Sequence, residues 1–595
     1  MSRQGILLKL TSIVLLFALI MLGCKTKDDV KIRRPNVVFI LIDDLSHLGV
    51  SAYGSNMISS NHGLFEKARV HTKNIDRLAK QGVMCRYAYA YPLCEPTRIA
   101  LMTGKRNHRN FLHPKAQHES DITFGDVFKR AGYATGIFGK WKQSRGTNEV
   151  RGKDYIYKFG WDEFACFDVV SEGQRFINPN LVINGEVVNY QGRSDIDPHT
   201  GRRWYGPDII NRHALDFIDR NKDRPFFLYY PMLLVHDEHK PTPDTRPKTL
   251  FDGFDEATHN KNGRAGDDPA YLPDMITYMD KLIGKVVSTI EEHKLSEHSL
   301  IVIMADNGTK EIFSHILPDG TTYPGRKGGT SDNGTRVPLI FHLPSALGND
   351  RGEVVVQHDG LVDVVDIFPT ICQAAGVGVP NQNFLDGQSI WPALTRRNGE
   401  GRKHIYTWYN RNETYSSDSL LLEYAFTKKF KYYAPTAKFP RGRFFDIETD
   451  KFETTGDRFE IRKWGLRLYS GLPIDSLNDE QREAYEYLKQ VINQNKYVPV
   501  ADIEIKEKIT ELGLGHVFQL SFNLLPKEAT RNSVIWYSEN KDIIKVNKFG
   551  EIKGLRKGKT KIHLYAWDDA LPVANNRNPT FFKQGLHDVI EIEIK

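Results

Sequence analysis

The stretch Asn36-Val-Val-Phe-Ile-Leu-Ile-Asp43-Asp44 constrains the fold most. It is a continuous run of β-branched and large apolar residues, with no polar alternation, closed by two carboxylates. Such a strand has to be covered on both faces, as in a parallel sheet flanked by helices. A second run of this kind, Leu300-Ile-Val-Ile-Met304, ends in Ala305-Asp306-Asn307-Gly308. In α/β sheets ligands bind beyond the carboxyl ends of the strands, so both polar ends are expected at the working site. Adjacent aspartates repel each other and are stable together only beside a cation or strong donors. Asp43, Asp44, Asp306 and Asn307 are hard oxygen ligands suited to calcium or magnesium.

The segments between these runs alternate in kind. Tyr133-Ala-Thr-Gly-Ile-Phe138 predicts a strand followed by Gly139-Lys140-Trp141-Lys142. Pro225-Phe-Phe-Leu-Tyr-Tyr230 predicts another, leading to His236 and His239. Met275 to His293 predicts an amphipathic helix, and a glycine-rich loop from Lys327 runs through Arg336 into a strand at Ile340. Strands alternating with helices predict an α/β fold, a large mostly parallel or mixed sheet sandwiched by helices. Within it, Cys94-Glu-Pro-Thr-Arg98 precedes an apolar, helix-compatible stretch. Proline suits a first helical turn, and a helix N-terminus favours anions. Arg98, one turn further on, adds a permanent positive charge. The place suits a reactive anion or an anionic substrate.

A chain of 595 residues is long enough for two or three domains. Its net charge of +7 is small for that length and forms no basic block, so nothing supports nucleic-acid binding. Residues 1–24 read as an export signal: Arg3 and Lys9, an apolar stretch from Ile6 to Leu22, then Gly23-Cys24. They resemble a bacterial lipoprotein signal peptide with Cys24 as the lipidated residue. The mature chain is therefore expected at a membrane outside the cytoplasm, periplasmic or on the cell surface, held by its lipid. Of the other cysteines, Cys85, Cys166 and Cys372 show no metal spacing and are expected as buried free thiols.

Taken together, these segments resemble the type I, formylglycine-dependent sulfatases of the alkaline-phosphatase-like superfamily. The resemblance covers roughly residues 34 to 460. It is carried by Asp43-Asp44, Cys94-x-Pro-x-Arg98 with Thr103-Gly104, Gly139-Lys140-Trp141, His236 with Pro241-Thr-Pro243, Asp306-Asn307-Gly308, and Lys327 with Arg336-Val-Pro338. It implies that a maturation enzyme oxidises Cys94 to formylglycine, whose hydrate is nucleophile and metal ligand. Asp43, Asp44, Asp306 and Asn307 would complete a calcium site, Arg98 would orient the hydrate, and Lys140 and Lys327 would neutralise sulfate. His236 would protonate the leaving alcohol of a sulfated oligo- or polysaccharide, with His108, Arg109 and His239 at the sugar pocket. The chain departs from the family at Lys142, where many members carry histidine, and Lys142 is expected as a sulfate or substrate contact. Glu95 is expected to point outward. The alternatives are a phosphodiesterase or phosphonate monoester hydrolase of the same superfamily, or an inactive surface glycan-binding protein.

The catalytic α/β domain is expected over 34–400, and an antiparallel subdomain with a closing helix (Leu477 to Asn493) over 401–500. Residues 501–595 alternate as short strands, with Val517-Phe-Gln-Leu-Ser-Phe522 expected as one of them. Trp536-x-Ser538 and Gly550-x-Ile552-x-Gly554-Leu555 resemble the bacterial Ig-like group 2 domain, an all-β sandwich with Trp536 in a structural position.

Overall fold

The computed structural model describes residues 34–595 apart from 62, 64, 113–114, 145–151, 171–172, 259–264, 345–354, 380–384, 397–400, 411–420, 462–465 and 571–582. Cys24 and the signal segment lie outside the described residues. Among the described residues, no helix is long and apolar enough to cross a membrane.

The body is built on an 11-stranded mixed sheet. Asn36–Ile42 lies at its centre, parallel to Ser299–Ala305 on one side and to Phe226–Pro231 on the other. Beyond Phe226–Pro231, Ala134–Lys140 and then Glu163–Phe167 continue in parallel. Every residue of the two carboxylate-ended strands is buried, as their unbroken apolar composition requires. Helices Gly206–Asn221 and Leu272–Glu292 pack their apolar stripes on the sheet. The helix expected from Met275 thus starts one turn earlier, at a Leu-Pro pair whose proline suits a first turn.

Register brings the two polar ends together. Ile42 lies opposite Ala305, and the Asp306 N–H donates to Ile42 O at 3.0 Å. Asp43 and Asp306 therefore leave adjacent strands at the same height.

The strand expected to stop at Phe138 runs on to Lys140. Gly139 makes this possible. Its φ is +142°, and a Cβ there would sit 1.8 Å from the Pro231 carbonyl oxygen of the neighbouring strand. Gly139→Ala is expected to cost roughly 3 kcal/mol or more, from backbone strain plus overpacking. Urea denaturation of the purified variant measures this directly.

Strands Ile405–Asn410, Leu421–Phe426, Phe430–Tyr433 and Arg443–Asp446 form an antiparallel sheet covered by helix Asp479–Gln494. The C-terminal residues fold into packed sheets around a separate apolar core. Val517–Phe522, expected as one strand, divides. Val517–Gln519 pairs with Glu551–Gly554, whereas Phe522–Leu525 pairs with Asp502–Ile505 in another sheet. The chain turns this corner at buried Leu520, the way sandwich strands switch sheets. Trp536 is half-buried, edge-on to Phe522 at 6.3 Å, which is a packing position.

Candidate active site

Helix Cys94–Thr103 begins at the cysteine itself and is buried throughout. Thr97 pins its first turn to the metal-type strand end, its hydroxyl donating to Asp306 O at 2.7 Å and accepting from the Tyr91 N–H at 3.0 Å. The Arg98 guanidinium, fully buried, donates through Nε and Nη2 to Asp306 Oδ2 at 3.1 and 2.6 Å and through Nη1 to Lys140 O at 3.1 Å. Arg98 thus anchors a carboxylate and a strand end together.

Single carboxylate oxygens of Asp43, Asp44 and Asp306 lie within 4.8 Å of one another. Asp44 adopts a left-handed conformation, φ 61°, which turns it beside Asp43 instead of onto the opposite face of the strand. Its N–H donates to Asp306 Oδ1 at 3.1 Å. Ser46 and Thr309 exchange hydrogen bonds of 2.9 Å between the two chain segments and lock the strand ends in place. Gly308 lets the glycine-rich loop approach, since a Cβ there would meet Asn333 O at 2.2 Å.

Each carboxylate has a cationic partner. Lys140 Nζ lies 2.7 Å from Asp43 Oδ2, Arg98 holds Asp306, and Lys327 pairs with Asp44. Burial raises Asp43, but Lys140, Arg98 and Lys327 outweigh it and hold the carboxyl below its ordinary value. Asp44 is likewise raised by burial and brought below by Lys327 and His236. Asp306 goes the other way: burial and the Asp43 charge push it up to about 7.

The donor set fits a hard divalent cation. Three carboxylates and a carboxamide converge, and Asn307 Oδ1 is buried with no hydrogen-bond partner among the described residues, while its Nδ2 donates to Asp44 Oδ1 at 2.9 Å. Three cations already balance three carboxylates, so a bound divalent ion would leave the site positive and matched to a sulfate.

Cys94 Sγ, a carboxylate oxygen of Asp43 and a ring nitrogen of His236 lie within 4.8 Å of one another. Burial and then Glu95 push the thiol up to about 12, so Cys94 is not a thiolate at neutral pH. His236 Nδ1 is 2.7 Å from Asp237 Oδ1, and its Nε2 is 3.1 Å from Lys327 Nζ. Burial, Lys327 and Arg175 hold the imidazole well below its ordinary value.

Glu95 does not point outward. It is buried, with Oε2 3.2 Å from Cys94 Sγ and Oε1 3.8 Å from Lys142 Nζ and 3.7 Å from Lys115 Nζ. Lys142 is therefore engaged with a carboxylate beside Cys94. Three other residues expected at the sugar pocket have structural partners. His108 is buried edge-on to Tyr406 at 5.4 Å, and His239 binds Asp267 through Nδ1 at 2.8 Å. Arg109 donates to Asp386 Oδ1, Thr530 O and Asn532 Oδ1. Sequence reasoning missed Arg175 and Asp237. Arg175 lies in an irregular stretch with no local pattern, whereas Asp237 directly follows His236 and could have been found there.

The sulfatase family model matches residues 35–377, and the bacterial Ig-like domain (group 2) matches 499–570. The chain belongs to the sulfatase family. It is 25% identical over 462 residues to arylsulfatase D of Homo sapiens, covering 64% of this chain and 72% of that one. It is 26% identical over 439 residues to N-acetylgalactosamine-6-O-sulfatase of Bacteroides thetaiotaomicron, covering 63% and 79%. The fold is shared with the PsFucS1 sulfatase from Pseudoalteromonas sp., with a TM-score of 0.53 and 20% identity over 78% of this chain and 90% of that one. This protein is a sulfatase, a hydrolase of sulfate esters, carrying a C-terminal Ig-like domain.

Proposed function

We propose that the protein removes sulfate from sulfated carbohydrate, using formylglycine made from Cys94 by a maturation enzyme and calcium held by Asp43, Asp44, Asp306 and Asn307. The observation that carries this reading is the position of Cys94 Sγ, at a helix start and within 4.8 Å of both Asp43 and His236. An ordinary thiol pushed up to about 12 has little nucleophilic use there, which favours conversion of the residue. Formylglycine would supply, as its hydrate, one oxygen to attack sulfur and a second hydroxyl whose loss of a proton reforms the aldehyde and breaks the C–O bond to the sulfated oxygen, expelling sulfate. Calcium supplies positive charge against the sulfuryl oxygens.

The side chains do the remaining work. Arg98 and Thr97 fix Asp306 and the start of the nucleophile helix in one frame. Lys140 and Lys327 lie on the carboxylates at the edge of the nucleophile's surroundings, where their ammonium groups also face an entering sulfate. The sulfate's own charge offsets their field and favours a protonated His236. Its Nε2 then gives a proton to the departing alcohol oxygen, and Asp237 stabilises the imidazolium through Nδ1. A carbohydrate substrate is supported by the named activities of relatives such as the N-acetylgalactosamine-6-sulfatase of Homo sapiens. The Leu22-Gly23-Cys24 ending supports a lipid anchor at Cys24, outside the cytoplasm.

The test is sulfate release from small aryl and sugar sulfates, compared with phosphate mono- and diesters, before and after chelation. Calcium-dependent release from sulfates alone is expected. Preferred turnover of phosphate esters would move the protein to the phosphodiesterase reading. Calcium affinity carries a second signature. A carboxyl raised on folding holds its proton more tightly when folded, so Asp306 weakens the metal-free fold as pH rises from about 4 to about 7. Calcium must displace that proton, and its affinity is expected to rise with pH up to about 7, by at most about tenfold per unit. Calorimetric titrations in buffers of different ionisation enthalpy read the released proton.

A further inference from the structure

The Ig-like module is built onto the segment that follows the nucleophile helix. Ile535, Tyr565, Trp567 and Ala570 share a buried cluster with Leu112 and Ala116 of the catalytic domain. Polar contacts surround it. Lys548 Nζ donates to Asp121 O at 2.7 Å, Asp126 Oδ2 at 2.9 Å and Lys158 O at 2.7 Å. Arg531 donates to Phe111 O and lies 4.6 Å over the Trp567 ring, and Trp567 Nε1 donates to Ser120 Oγ at 3.1 Å.

The opposite side of the same segment reaches the nucleophile. Asn107 Nδ2 donates to Pro96 O at 3.1 Å. Ala116 bridges Ser144, and the Gln117 N–H donates to Gln143 O at 3.0 Å, directly after Lys142. Lys115 and Lys142 meet on the Glu95 carboxylate, whose other oxygen is 3.2 Å from Cys94 Sγ. Ala116 therefore lies between the module's aromatic side chains and the chain that presents Lys142.

We propose that the Ig-like module is a clamp on the active site, with Arg531, Lys548 and Trp567 as positioning residues that keep Lys115 and Lys142 on Glu95. The inference rests on the sulfatase reading of Cys94. An unneutralised carboxylate beside the nucleophile repels a sulfate in the bound ester and in the transition state alike. Loosening the clamp therefore removes uniform binding, which raises KM and leaves kcat in place. A module that only supported folding would lower the active fraction and so kcat, with KM unchanged.

The experiment uses the full, matured, calcium-loaded chain with a small aryl sulfate. Lys548→Met and Arg531→Met are made singly and together, with Lys548→Arg as the conservative variant. The double variant is expected to raise KM by about tenfold, the size of effect one displaced partly buried charge produces. Lys548→Arg, which keeps the charge and donors at that position, is expected to keep the wild-type KM. In a Lys115→Met background, which raises KM by itself, Lys548→Met is expected to add less than it does alone, through Lys142 only, because coupled residues are not additive. Hydrogen exchange at 115–121 and 142–144 speeds up, while Asn36–Ile42 and Ser299–Ala305 keep their protection. Unchanged KM in the double variant, with or without faster exchange, overturns the clamp, as does full additivity with Lys115→Met. If the matured wild type releases no sulfate, the sulfatase reading of Cys94 fails separately. The clamp then stands or falls on exchange at 142–144.

Discussion

Cys94→Ala is expected to abolish sulfate release, with kcat lower by on the order of 10⁴- to 10⁶-fold, the loss typical of removing a nucleophile from an assembled site. Nothing else in the cluster can replace it. Thr97 is tied to Asp306 O, Leu93 O and the Tyr91 N–H, and the lysines are held by carboxylates. The fold should survive. The Cys94 side chain is small, and alanine removes only a sulfur whose one hydrogen-bond partner among the described residues is Glu95. Single-turnover assays with an aryl sulfate, alongside urea denaturation, separate the two effects. Activity within about tenfold of the wild type would show that the nucleophile lies elsewhere.

Arg98→Ala is expected to unfold more easily as well as to lose activity. The guanidinium is fully buried between Asp306 and Lys140 O, with Asp43 Oδ1 at 3.7 Å from Nη2. Removing one partner of such a pair leaves buried negative charge uncompensated and costs about 3–5 kcal/mol. Arg98→Lys is not a rescue, since one ammonium cannot reproduce a planar fork that spans a carboxylate and a backbone carbonyl. Denaturation of the metal-free variants measures the loss. Added calcium is expected to recover part of it in both variants, because an ion at the proposed site would also neutralise Asp43 and Asp306.

The carboxylate-ended strands are legible in the sequence because a doubly buried strand has an unmistakable composition, and its first polar residue marks where the sheet ends. Helix Cys94–Thr103 is legible for a related reason, since Pro96 and the apolar run suit a first turn and a buried body. The direction of Glu95 is not. Whether a side chain in a first turn faces the site or solvent depends on what packs there, and Lys115 and Lys142 come from other elements. His108, Arg109 and His239 look like pocket residues by type. Their partners are non-local: Arg109 binds Thr530, 421 positions away, and His239 binds Asp267. No periodicity encodes such a contact. The division of Val517–Phe522 between two sheets is equally silent, because alternation is the same on either side of the corner.

The most direct test of the central claim is peptide mass spectrometry of residue 94 in protein made with a working maturation system. An aldehyde in place of the thiol is expected, together with calcium-dependent sulfate release. An unmodified thiol in fully folded protein that still hydrolyses sulfate esters would contradict that claim.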